Sequence, residues 1–239
     1  MTFGFFCNII KHKVNWKKCF CPVKLLDFIR EQKAVIREKD PAIRSDWEIF
    51  LYPSFQVQLS HRKAHYLYER GHYFWARWIS QRAKRKTGIE IHPGAKLGRR
   101  LFIDHGAGVV IGETAEIGDD VTIYQGVTLG GNGKEKGKRH PTIGNNVLIS
   151  TDAQILGSFK IGDHSRIGAG SVVLSEVPPD STVVGIPGRV VRRGKQKVDA
   201  IAALDHTHLP DPVAMEICRL QSRLDHLEAL LSEKEEIKD

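Results

Sequence analysis

The sequence predicts an α+β chain in three parts. These are an N-terminal helical domain (residues 1–88), a left-handed parallel β-helix (89–193), and a linker leading into a C-terminal amphipathic helix (194–239). Three observations carry this reading. Apolar residues recur at helical spacing up to a glycine at 88, aliphatic residues then recur every six positions, and a leucine seam returns after residue 211. The left hand comes from analogy with folds of this period, because periodicity alone does not set it.

The helical part covers residues 23–87. Leu25, Leu26, Phe28, Ile29 and Ile36 mark one apolar face, and Val57, Leu59, Tyr66 and Leu67 another. Asp40-Pro41 and Tyr52-Pro53 should break the helices, since a residue before proline is pushed out of the α region. Gly71 predicts a further break. Gly88 follows the basic run Arg82 to Lys86 and reads as a C-terminal stop, with cations favourably placed on the helix dipole. Such a run also suits nucleic acid, but no binding motif accompanies it, so a solvated helix end is the expectation.

From Ile91 the period is six. Ile, Leu or Val occupies 91, 97, 103 and 109, then, after a two-residue shift, 111, 117, 123 and 129, and after a loop 143, 149, 155, 161, 167 and 173. Each hexapeptide supplies a short strand and a corner, so three make a triangular coil of about 18 residues. The aliphatic residue points inward, and coils stack about 4.8 Å apart. Residues 130–142 are polar and rich in glycine and lysine, so they project as a loop from the scaffold, where chemistry tends to sit. Beyond Arg193, Asp211-Pro212 opens a helix carrying Ile217, Leu220, Leu224, Leu227 and Leu231. Docking on the chain's own body and self-association both remain open for that seam.

Composition excludes several classes. The net charge of +8 is concentrated in residues 1–100, which carry +13, while the final 46 residues carry −4. No apolar run reaches the roughly 20 residues of a membrane span. Four scattered cysteines (Cys7, Cys19, Cys21, Cys218) form no disulfide framework, and the Cys19/Cys21 spacing is too close for a zinc pair. The apolar stretch Phe3 to Ile10 lacks the basic start and small-residue cleavage site of a signal peptide. A cytoplasmic protein with no membrane, nucleic-acid or metal partner is expected.

An aliphatic prism catalyses nothing by itself, so polar departures from the repeat are the candidates. Glu90 and His105 are 15 residues apart, close enough to one coil that they could meet on adjacent rungs. A carboxylate beside an imidazole fixes its tautomer and supports its positive charge, as a histidine general base requires. The loop adds Arg139, whose guanidinium suits a carboxylate ligand. His92, before a proline at a corner, reads as structural, and His164 as solvent-facing. A zinc hydratase would need three converging histidines, which His92, His105, His140 and His164 do not offer.

The segments Asp104-His105-Gly106-Ala107-Gly108-Val109-Val110-Ile111-Gly112-Glu113-Thr114-Ala115, Gln125 to Gly131 and Gly137-Lys138-Arg139-His140-Pro141 resemble the serine O-acetyltransferase family. The likeness runs from about Asp40 to Arg193. It implies transfer of acetyl from acetyl-CoA to L-serine, in a homotrimer or a dimer of trimers with sites between subunits, and inhibition by cysteine. It implies His105 as base oriented by Glu90, Arg139 on the substrate carboxylate, Asp104 and Asp40 on the ammonium, and His140 lining the pocket. Gly131 and Ala169 would receive the pantetheine arm. A related hexapeptide enzyme acetylating a sugar is the alternative, and a purely structural β-helix the non-enzymatic one. Glu90 stands where the family has aspartate, and Ser150-Thr151-Asp152 replaces its small-residue run. The chain ends Ile237-Lys238-Asp239 rather than in isoleucine, so no stable complex with O-acetylserine sulfhydrylase by that route is expected.

Overall fold

A computed structural model describes residues 25–133 and 136–194, together with positions 220, 221, 223 and 224. The four cysteines and most of the leucine seam lie outside the described residues. Leu220 and Leu224 are helical and exposed.

The helices are α1 (Leu25–Lys39), α2 (Pro53–Glu69) and α3 (Tyr73–Thr87), with a 3-10 turn at Glu48–Leu51. The expected breaks hold. Helix α1 ends before Asp40-Pro41, Pro53 opens α2, and Gly71 takes a left-handed φ of +80° between α2 and α3. Gly88 closes α3 at φ +74°, its N–H returning to the Lys84 carbonyl at 2.8 Å. The apolar faces are narrower than the spacing suggests. Phe28, Val35, Ile36, Phe55 and Val57 are buried, but Leu25, Leu26 and Tyr66 are exposed. Leu25 and Leu26 open the first turn of α1, ahead of its buried stripe, and the Tyr66 ring instead receives the Arg70 guanidinium.

From Glu90 the chain winds as a left-handed parallel β-helix of short strands, β1 (Glu90–Ile91) to β15 (Arg189–Arg193). One face stacks β1, β4 (Val110–Ile111), β7 (Thr128–Gly130), β10 (Gln154–Leu156) and β13 (Val172–Val173). The second stacks β2 (Lys96–Leu97), β5 (Glu116–Ile117), β8 (Thr142–Ile143) and β11 (Lys160–Ile161). The third stacks β3 (Phe102–Ile103), β6 (Thr122–Ile123), β9 (Leu148–Ile149), β12 (Arg166–Ile167) and β14 (Ser181–Val184), ending in the antiparallel β15. Thirteen of the fourteen aliphatic repeat positions are buried, and Leu97 is partly covered. Register reveals where the repeat is stretched. Glu90 pairs with Val110, 20 residues on, whereas Val110 pairs with Thr128 at the regular 18. The two extra residues lie in the corner between β3 (Phe102–Ile103) and β4 (Val110–Ile111), which carries Asp104 and His105. Glu116 pairs with Thr142, 26 on, because the polar loop intervenes.

The helices close the prism's open end. The first coil has no strand below it, and unpaired strand groups need partners. Ser80 donates to the Ile91 carbonyl (2.7 Å), Gln58 to that of Leu101 (3.1 Å), and Ser54 accepts from the Ile103 N–H (3.1 Å). Val57 of α2 and Ala83 of α3 join the same apolar core as Ile91 and Ile103. Among the described residues no helix is long and apolar enough to cross a membrane.

Candidate active site

The three prism edges have different characters. The corners joining the third face to the first form one edge, stacked by Gly126 N–H to Ala107 O (2.9 Å), Asp152 N–H to Gln125 O (3.0 Å) and Gly170 N–H to Thr151 O (2.8 Å). His105 projects from the longest of these corners. It sits at φ +56°, followed by Gly106 at +76° and Gly108 at +77°. A Cβ at Gly106 would run into the Ile89 side chain, so glycine there lets the corner lie flat against the core. The His105 imidazole is 75% exposed, with Nε2 3.9 Å from Asp104 Oδ1.

Asp40 is held by a phenol that also feels the charge of Asp104. Tyr52 donates its hydroxyl to Asp40 Oδ2 (2.6 Å), and the Ala42 N–H donates to Asp40 Oδ1 (2.8 Å). Burial, that hydrogen bond and the negative charges of Asp40, Glu48 and Asp104 push the Tyr52 phenol well above its usual range. Burial and the Asp104 charge also raise Tyr124. This is an anionic patch suited to an ammonium group.

The adjoining edge, between the first and second faces, carries the second cluster. Arg139 Nη2 donates to Glu113 Oε2 at 2.6 Å, and Tyr68 of α2 donates to Glu113 Oε1 at 2.8 Å. Thr114 Oγ1 accepts the backbone N–H groups of Arg139 and His140, each at 3.0 Å, and lies 2.9 Å from His140 Nδ1. The Thr114 N–H also points at Nδ1 (3.2 Å), which makes Nδ1 an acceptor and leaves the hydrogen of the neutral ring on Nε2. Burial first, and Arg139 second, lower the His140 pKa. A Cβ at Gly131 would come within 3.0 Å of the Arg139 stem and carbonyl, while Ala169 is exposed on the first edge.

Glu90 differs from the sequence expectation. Among the described residues its carboxylate is hydrogen-bonded to Lys84 of α3 rather than to His105, and that bond is the main cause of its lowered pKa. The physical reason is register. Glu90 lies on a strand face opposite Val110, whereas His105 rides a corner. His92 is half-buried, with Nδ1 accepting the Gly94 N–H at 3.0 Å, and His164 is exposed, both as expected. Tyr68, Glu113 and Thr114 were not singled out from sequence. Glu113 and Thr114 lie inside the quoted family-like segment, which was the available signal, while nothing marks Tyr68.

Comparison with known proteins decides the family. The chain is 55% identical to the serine acetyltransferase of Bacillus subtilis (strain 168) over 209 residues, spanning 87% of this chain and 95% of that one. It belongs to the serine acetyltransferase family. Membership makes it an acyltransferase. Residues 140–175 match the family described as bacterial transferase hexapeptide (six repeats). Among solved serine acetyltransferases, the chain is similar to that of Neisseria gonorrhoeae in complex with serine (TM-score 0.68, 40% identity, 74% of this chain and 73% of that one). It is also similar to that of Brucella abortus strain S19 in complex with coenzyme A (0.68, 41%, 71% and 68%). A serine acetyltransferase in complex with cysteine matches with TM-score 0.73 and 37% identity, over 77% of this chain and 72% of that one.

Proposed function

We propose that the chain acetylates the hydroxyl of L-serine from acetyl-CoA, with His105 as general base. The observation that carries this is the partition of charge between two edges. His105 stands with the anionic Asp104–Tyr52–Asp40 patch, and Arg139 and His140 stand on the adjoining edge. An amino acid needs both, one for its ammonium and one for its carboxylate. One copy's first edge set against a neighbour's second edge completes the pair, which a homotrimer does three times over. Pairing of two trimers through the helical caps is compatible with it.

In the reaction, His105 takes the serine hydroxyl proton as the oxygen attacks the thioester carbonyl. The tetrahedral intermediate collapses, the C–S bond breaks, and the CoA thiolate takes that proton from the imidazolium. Asp104 and Asp40 hold the ammonium, Arg139 the carboxylate, and His140 lines the pocket with Nε2–H. The groove bearing Gly131 of one copy and Ala169 of the next receives the pantetheine arm. Glu90 is assigned to orient His105. Its pair with Lys84 is half-exposed on the lysine side and part-buried on the glutamate side, so orienting His105 requires Glu90 to leave Lys84 and turn from the strand face toward the corner. Cysteine, which has the same ammonium and carboxylate, competes for the same place.

The test is CoA release by the purified protein with L-serine against hexoses, with and without cysteine, alongside its mass in solution. Serine-dependent release by a trimer or hexamer is expected. Release with hexoses alone overturns the assignment.

A further inference from the structure

We propose that Tyr68 of the helical cap is a positioning residue for substrate binding. By occupying one oxygen of Glu113, it keeps the Arg139 guanidinium available to the serine carboxylate. The proposal rests on the assignment of Arg139 given above. Glu113 is shared between two donors, Tyr68 Oη on Oε1 (2.8 Å) and Arg139 Nη2 on Oε2 (2.6 Å). Its pKa is lowered first by the tyrosine bond and then by Arg139, so the carboxylate is ionised at neutral pH. The phenol is pushed up to about 12 by burial and by that same carboxylate, so it stays a donor.

The Tyr68 ring has little freedom to leave. It packs edge-on against Tyr73 (5.1 Å) and His92 (5.7 Å), and a Cβ at Gly94 would come within 3.1 Å of it. A free carboxylate beside an arginine prefers a two-pronged pair, which takes up two of the five guanidinium N–H donors along one edge. With Oε1 committed to Tyr68, Glu113 engages Arg139 through one oxygen only. The rest of the fork is left for a second carboxylate. Without the hydroxyl, Glu113 is free to turn both oxygens onto Arg139 and compete with serine for it.

The experiment is Tyr68→Phe in the full chain, assayed by CoA release with L-serine and with 2-amino-1,3-propanediol, which keeps the amine and hydroxyl but lacks the carboxylate. The serine KM should rise about tenfold, with kcat within about twofold and the acetyl-CoA KM unchanged. The kcat/KM for the diol should not move. A second variant, Tyr68→Phe/Glu113→Gln, should recover much of the serine affinity, because an amide offers one acceptor oxygen and cannot form the charged fork. An unchanged serine KM, an equal loss with the diol, or no recovery in the double variant overturns the proposal. Absence of serine-dependent CoA release by the wild-type protein overturns the assigned function and this relay with it. Normal wild-type activity with an unmoved Tyr68→Phe KM overturns the relay alone.

Discussion

Gly112→Ala tests the proposed serine pocket without removing a polar group. Gly112 is not in the left-handed region, so the substitution adds no backbone strain; what it lacks is space. A Cβ built there lands on the His140 imidazole, overlapping Cδ2 and Nε2. The ring is buried and held at Nδ1 by Thr114, so it must move to make room. Moving it forfeits up to two hydrogen bonds, about 0.5–1.5 kcal/mol each, and adds overpacking of about 1–3 kcal/mol. A net misplacement near 2–3 kcal/mol corresponds to a loss of about 30- to 150-fold in kcat/KM for serine. The assay is steady-state CoA release with L-serine as the varied substrate. The cycle closes with His140→Ala. If the imidazole is what Gly112 makes room for, Gly112→Ala/His140→Ala should be no worse than His140→Ala alone. Kinetics within twofold of wild type for Gly112→Ala would falsify the placement of His140.

Further expectations follow from the same geometry. His105→Ala should lower kcat at least about a hundredfold with the oligomer intact, and a loss below tenfold would remove it as base. Arg139→Ala should mainly raise the serine KM, measured by initial rates, and an unchanged constant would count against its carboxylate role. Burial lowers the His61 pKa from 6.5 to about 3. Below pH 6.5 the unfolded chain therefore binds a proton that the folded one refuses. The stability this gives is complete above pH 6.5 and is lost as pH falls toward 3, at up to about 1.4 kcal/mol per unit. Urea midpoints at pH 7 and 5.5 for wild type and His61→Phe should show a shallower fall in the variant; parallel slopes would refute the linkage. Ile117→Ala, in the core at 0% exposure, should cost about 2–5 kcal/mol in urea unfolding, and a cost below 1 kcal/mol would mean the prism interior is loosely packed.

What the amino-acid order alone determines here is the scaffold and the places where it is interrupted. A period of six leaves one inward position per strand, and an aliphatic residue there is buried whatever its neighbours do. That is why thirteen of those fourteen positions are buried and why Asp40-Pro41, Pro53, Gly71 and Gly88 punctuate the helices as expected. The two breaks in the period, a two-residue shift between Val109 and Ile111 and eight more residues after Gly130, mark the corner of His105, where strand register places the first, and the loop of Arg139 and His140. Tertiary structure decided the partnerships. Tyr68 meets Glu113 across 45 residues, and Arg139 meets it across 26, because helix packing and an inserted loop set those separations and no period encodes them. Glu90 found Lys84, six residues back over a glycine turn, before any residue one coil away. Repetition along a chain dictates what points inward, whereas the pairing of outward side chains depends on which corners and helices come to lie side by side.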